Sequence, residues 1–163
     1  MIKTAQKTFT KNLFFWAVFL CFAFGLASCK EQSAAQQGAL YPLSIVSQST
    51  GQSIAFNVEL AANHKEQEKG LMHRESMPDD QGMIFTYPSP QHSYFWMKNT
   101  LIPLDMIFVG SDNRIIHIHK GAKPHDLTPI PSGGLSRAAI EVNAGIVDKF
   151  GISVGDKVVF SHF

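Results

Sequence analysis

From Ser53 to Phe160 the chain is broken into short runs rich in aromatic and β-branched residues, each bounded by Gly, Pro, Asn or Asp. Branched and aromatic side chains suit a pleated surface and the bounding residues supply turns, so these runs read as strands. In residues 53–60 the alternation puts Ile54, Phe56, Val58 and Leu60 on one face. Residues 83–87, 93–97, 104–109, 114–119, 137–142 and 157–160 supply six more strands. Gly110-Ser111-Asp112-Asn113 separates two of them and predicts a hairpin. Helical signals are brief. Asn63, with Glu66 three residues on and Gly70 beyond, predicts a short exposed helix over residues 64–69. Asn143 as a cap predicts a second over residues 144–150, with Ile146, Val147 and Phe150 on one side. The expected fold is mainly β, a compact antiparallel β sandwich or barrel with one or two short helices. A parallel α/β sheet is disfavoured because no crossover helices are visible.

The N-terminus reads differently. Lys3, Lys7 and Lys11 precede the apolar run of residues 13–26, and Ala27 and Ser28 lead into Cys29, the order of a signal peptide. The run of about 14 residues spans roughly 21 Å as a helix, short of the ~30 Å hydrocarbon core. Leu26-Ala27-Ser28-Cys29 resembles the lipobox of bacterial lipoproteins. That resemblance implies lipid transfer to the thiol, cleavage before Cys29 and N-acylation. The chain then divides into a signal peptide (1–28), a lipidated Cys29 with a flexible tether (29–39) and a single β-rich domain (40–163). The alternative is an ordinary secreted protein in which Cys29 is a leftover thiol. The tether is polar and small-residue rich, and about ten such residues reach roughly 18 Å.

Further exclusions follow from cleavage at that point. Cys21 is discarded and Cys29 becomes a thioether, so no disulfide, thiolate metal site or cysteine nucleophile is expected. Removing residues 1–28 takes three of the 14 basic side chains, leaving 11 against 13 acidic ones and a formal charge of −2. Nucleic acid is therefore not an expected partner. The expected location is the periplasmic side of the cell envelope. Lys30 rather than Asp after the cysteine resembles outer-membrane sorting in Gram-negative species.

The densest chemistry lies in residues 95–106, where bulky apolar side chains crowd against Lys98, Asn99 and Asp105. Together with Gly70-Leu71-Met72-His73-Arg74, Gly82-Met83-Ile84-Phe85, Pro131-Ser132-Gly133-Gly134 and Glu141-Val142-Asn143-Ala144-Gly145, this segment resembles the prokaryotic family catalogued as domain of unknown function 192. The resemblance runs from about Ile54 to Phe160 and implies a compact β-rich fold, with no established reaction attached.

The residues themselves leave two readings each. Lys98, Asn99 and Asp105 offer an ammonium, an amide and a carboxylate to an anionic or hydroxylated ligand, or they brace the turn at residues 100–103. Trp96 and Met97 wall a pocket or belong to the core. Arg74 and Glu141 pair with each other, or offer a fork for an anion and a base. Arg137, Ala139 and Glu141 share the strand face opposite Ala138, Ile140 and Val142. His117, His119 and the nearby His125 suggest a metal, but the ligand set is too small and an exposed strand face explains the spacing equally well, so no metal and no cofactor are expected. Ser132 lacks the elbow of a serine hydrolase, and its loop lacks the ending of a phosphate-binding one. Residues 121–134 are long enough for a lid or binding loop.

The leading expectation is a membrane-tethered, non-enzymatic domain binding a small polar ligand or envelope component through Arg74, Trp96, Lys98, Asn99, Asp105 and Glu141. The alternatives are an accessory module that contacts another envelope protein, or a hydrolase or lyase with Glu141 or Asp105 as base.

Overall fold

The computed structural model describes residues 38–163. The expected signal peptide, Cys29 and the tether up to residue 37 lie outside the described residues. The elements run β1 (Leu40–Val46), β2 (Ser53–Ala61), α1 (His64–Lys69), β3 (Gln81–Gln91), β4 (Tyr94–Phe95), β5 (Leu104–Val109), β6 (Ile115–Ala122), β7 (Ile130–Pro131), β8 (Ser136–Asn143), α2 (Ile146–Phe150) and β9 (Lys157–Phe160). Seven strands form one sheet in the order β6-β5-β8-β3-β2-β1-β9, and β4 pairs with β7 in a separate two-stranded ribbon.

The sheet curls until its edge strands meet at one end. Ile115 N–H donates to Asp156 O at 2.9 Å, Gly155 N–H to Ile115 O at 2.8 Å and Val158 N–H to Asn113 O at 2.8 Å. Asp156, buried, holds that corner by accepting from the backbone N–H groups of Gln48 and Ser153. The result is a half-barrel, so the mainly β expectation holds.

Alternation along the strands produces two cores rather than one. Leu43, Ile45, Phe56, Val58, Ile84, Ile107, Val109, Ile140, Val142 and Val158 fill the inner face, closed by Ile146 and Val147 of α2. Met83, Phe85, Leu104, Met106, Phe108 and Ala139 point outward, where Leu71, Met77, Met97, Ile102 and Ile130 from the long connections cover them. This explains why β5 is buried at every position. Strands covered on both faces lose the apolar-polar alternation of a half-exposed sheet.

Gly82 marks the tightest approach in the sheet. A Cβ there would stand 2.5 Å from the carbonyl oxygen of Glu141 and 3.1 Å from Val142 Cγ1. Because the nearest atom is backbone, Gly82→Ala is expected to cost about 1–3 kcal/mol, read as a lower denaturant midpoint.

Several expectations are met and others corrected. The β5–β6 hairpin forms as predicted, with Asn113 left-handed in its turn. The capping box of Asn63 and Glu66 is present on α1. In contrast, β2 and β3 run parallel, because α1 and residues 70–80 together make a crossover without a long helix. The strand expected over residues 93–97 shrinks to Tyr94–Phe95. Met97 turns fully into the outer core, and its N–H donates to Asp126 O instead of a ladder. Asn143 does not cap α2. Its side chain donates to Met77 O at 2.7 Å, and the helix opens from the left-handed Gly145.

Candidate functional site

A cleft of about 530 Å³ opens between α1, the far end of β3 and β4, and Glu141 of β8 lies in its lining. Its walls follow from local chemistry. Gln67 Nε2 donates to Ala61 O at 3.2 Å and Thr86 O at 3.0 Å, pinning α1 across the ends of β2 and β3. Beyond Thr86 the register between β3 and β8 is interrupted until Gln91. Pro88 and Pro90 fall there, and neither can donate to a ladder. Buried Ser93 fixes the rim that follows. Its N–H donates to Ser132 Oγ at 3.1 Å, its hydroxyl lies 3.0 Å from Ser136 Oγ, and Ser132 Oγ donates to Gly134 O. The glycine-rich loop around Ser132 is thus a brace for the cleft wall.

The lining is aromatic above and carboxylic below. Phe85 and Phe95 meet edge to face at 5.0 Å, while Tyr94 and Trp96 stand 69% and 51% exposed at the rim. Glu141 is 5% exposed. Its strand neighbours across the ladder are Met83 and Met106, both buried, so its immediate surroundings are apolar. Among the described residues no hydrogen bond or ion pair reaches its carboxyl, and burial alone pushes it up to about 8. Glu141 is therefore a neutral acid at pH 7, able both to donate and to accept. Burial also raises the Tyr87 hydroxyl, opposed by its side-chain hydrogen bond with Ser93 and assisted by Glu141 when that carboxyl is ionised.

The six residues singled out from the sequence do not form one site. Trp96 and Glu141 line this cleft. Lys98 stands outside it, its ammonium 5.5 Å over the Trp96 ring. Asn99 occupies the left-handed turn, with Nδ2 3.9 Å from Met72 Sδ. Asp105 is 1% exposed and fully engaged by backbone, accepting from Gly121 at 2.9 Å, Gly145 at 2.9 Å and Val147 at 3.1 Å. Its bracing role is the structural alternative, although it holds the start of α2 and the end of β6 rather than the turn at residues 100–103.

Arg74 pairs with Glu59 and not with Glu141. Arg74 Nη2 donates to Glu59 Oε2 at 2.7 Å, and Nη1 lies 2.6 Å from Oε1. Both side chains are buried, and the N–H of Gly38 adds a bond to Glu59 at 3.1 Å. The pair lines a second, smaller cleft of about 300 Å³, which shares the wall Lys69–Gly70 with the first. Arg74 therefore has no free fork to offer an anion. Glu59→Ala is expected to cost about 3–5 kcal/mol, because it leaves a buried guanidinium unpaired; loss of cooperative unfolding at a lower denaturant concentration would register it.

Sequence reasoning missed Tyr87, Ser93 and Tyr94, along with His64 and His92, which also line the first cleft. The alternation of apolar residues flags none of them, since their position depends on the interrupted end of β3. His117 stacks on Phe108 at 5.8 Å. Among the described residues no three His, Cys, Asp or Glu side chains gather as metal ligands.

A curled β half-barrel with a cleft of aromatic walls on its outer face, and a buried carboxyl in its lining, defines the class. The chain belongs to the family known as domain of unknown function 192, described as Uncharacterized ACR, whose pattern residues 45–160 match. It is similar to a protein of unknown function from Novosphingobium aromaticivorans DSM 12444, with 43% identity and a TM-score of 0.71 over 74% of this chain and 85% of that one. It is also similar to a protein from Sinorhizobium meliloti 1021 named as a candidate transcription regulator, with 36% identity and a TM-score of 0.75 over 78% of this chain and 98% of that one. Among curated proteins nothing matches the chain.

Proposed function

We propose that the chain is an envelope lipoprotein, lipid-anchored through Cys29, whose β domain binds a small polar ligand or envelope component in the cleft that Glu141 lines. One observation carries the binding half of this reading. Among the described residues no hydrogen bond reaches the Glu141 carboxyl, which two methionines flank, and ionising it there is costly, so a bound group that hydrogen-bonds its neutral form would be favoured. The cleft volume falls within the range of small-molecule sites. Arg74, Lys98, Asn99 and Asp105 leave the ligand set, and Trp96 and Glu141 remain.

The test is a thermal-shift screen of small polar compounds on the full chain, repeated on Trp96→Ala. Compounds that raise the unfolding temperature of the wild type should lose about tenfold in affinity on Trp96→Ala. Stabilisation that survives the substitution would move the site elsewhere. The anchor is tested separately: labelled fatty acid should enter the wild-type chain in cells and be absent from Cys29→Ser, and equal labelling of both would refute it.

A second reading has its own support. A buried acid raised to about 8 beside an open cleft is suited to donating a proton to a leaving group, as a hydrolase or lyase requires. Turnover of envelope sugars, esters or peptides that Glu141→Gln abolishes would establish it. The regulator role named for the Sinorhizobium protein is not adopted for this chain. Helices of six and five residues are short for groove recognition, and acidic side chains outnumber basic ones after residue 28.

A further inference from the structure

The cleft's lining also bears on which chemistry it accepts, an inference that rests on the binding reading above. Two aromatic rings stand exposed at the rim, Tyr94 at 69% and Trp96 at 51%, the latter with the Lys98 ammonium over one face. The buried polar side chains in the lining are Glu141, Ser93 and Thr100, with Gln67 half-buried and His92 exposed. Charge is balanced at the mouth, where Glu68 and Lys69 of α1 stand side by side.

Among the described residues the one lysine or arginine in the lining is Lys69, at the mouth beside Glu68, so an anionic ligand would find no cation at the Glu141 end. Arg74 is committed to Glu59 in the neighbouring cleft, and the ammonium of Lys98 already lies over Trp96. A cationic ligand would need an ionised carboxylate at depth, but the apolar methionines on either side of Glu141 favour its neutral form. What remains complementary is a neutral molecule with one apolar face and several hydroxyls. The apolar face stacks on an exposed ring, and a hydroxyl, donor and acceptor at once, matches a protonated carboxyl that is the same.

We infer that the cleft binds a saccharide, with a pyranose ring against Trp96 or Tyr94 and a ring hydroxyl on the carboxyl of Glu141. Acetamido sugars and plain sugars share that chemistry, and the experiment separates them.

The experiment titrates the full chain, held in zwitterionic micelles free of sugar headgroups, with four probes: the disaccharide of N-acetylglucosamine, cellobiose, benzylamine and benzoate. Binding is followed by calorimetry at pH 6. At least one disaccharide should bind saturably, and preference for the first over the second would identify an acetamido sugar. Trp96→Ala should weaken that binding about tenfold. Glu141→Gln, which keeps a donor and an acceptor without a charge, should hold affinity within about threefold, whereas Glu141→Leu should lose about tenfold or more. Far-ultraviolet circular dichroism and a cooperative melt confirm that each variant is folded. Binding of benzylamine or benzoate, lost in Trp96→Ala, with no binding of either disaccharide would overturn the saccharide while leaving the cleft as a site. No binding of any of the four, or binding indifferent to both positions, would overturn the saccharide and the cleft together.

Discussion

Asp105→Ala is expected to cost roughly 3–6 kcal/mol, because it strands three backbone donors that one carboxylate now satisfies. The N–H groups of Gly121, Gly145 and Val147 all point at this side chain from 2.9 to 3.1 Å. It sits in β5, a strand buried at every position, and is itself 1% exposed, so water has little access to replace it. Typical domains are stable by only about 5–15 kcal/mol, so the variant should approach the threshold of folding. Asp105→Asn keeps one acceptor oxygen and should lose about half as much. Guanidinium unfolding followed by circular dichroism measures both. A wild-type midpoint for Asp105→Ala would mean that the contacts at the start of α2 contribute little.

The second large effect has the opposite sign. Glu141→Gln should stabilise the domain at neutral and alkaline pH. The folded state holds the Glu141 proton up to about 8, against an ordinary value of 4.5 in an unfolded chain. Between those values the unfolded state binds fewer protons than the folded one, so stability falls as pH rises, by up to about 1.4 kcal/mol per unit. The contribution is full below about 4.5 and gone above about 8. An amide carries no proton to lose, so the slope assigned to this residue disappears in Glu141→Gln. The variant should gain roughly 2–5 kcal/mol at pH 8 relative to the wild type. Unfolding curves at intervals from pH 4 to 9 would show parallel profiles for the two proteins if Glu141 were ordinary. A residue whose removal strengthens the fold is held for something other than the fold.

The strands were largely legible because their side chains alternate. Residues 104–109 and 157–160 have the bounds that composition predicts, and α1 carries its capping box in plain sequence. β1 was not read as a strand, since Pro42 interrupts a run whose buried members are Leu43 and Ile45. The outer core was not legible at all. A period-two pattern announces one buried face, and nothing in it says that loops from residues 71–77 and 95–102 fold over the other. That is also why Glu141 read as a partner for Arg74 and Glu59 drew no reading at all. Each is buried by a connection that returns from a distant part of the chain. Trp96 and Glu141 were both named from sequence, but their meeting depends on the interrupted register after Thr86, which two prolines only hint at.

If the Glu141 carboxyl, without a hydrogen-bonding partner among the described residues, is held for a ligand, it should respond to one directly. Its carbon-13 resonance, followed by NMR while the disaccharide and charged probes are added to the full chain, tests this at the atom concerned. A saturable change in that resonance with at least one probe is expected, with an apparent pKa of about 8 in the free protein. A carboxyl that titrates like an exposed glutamate and does not respond to any probe would contradict it.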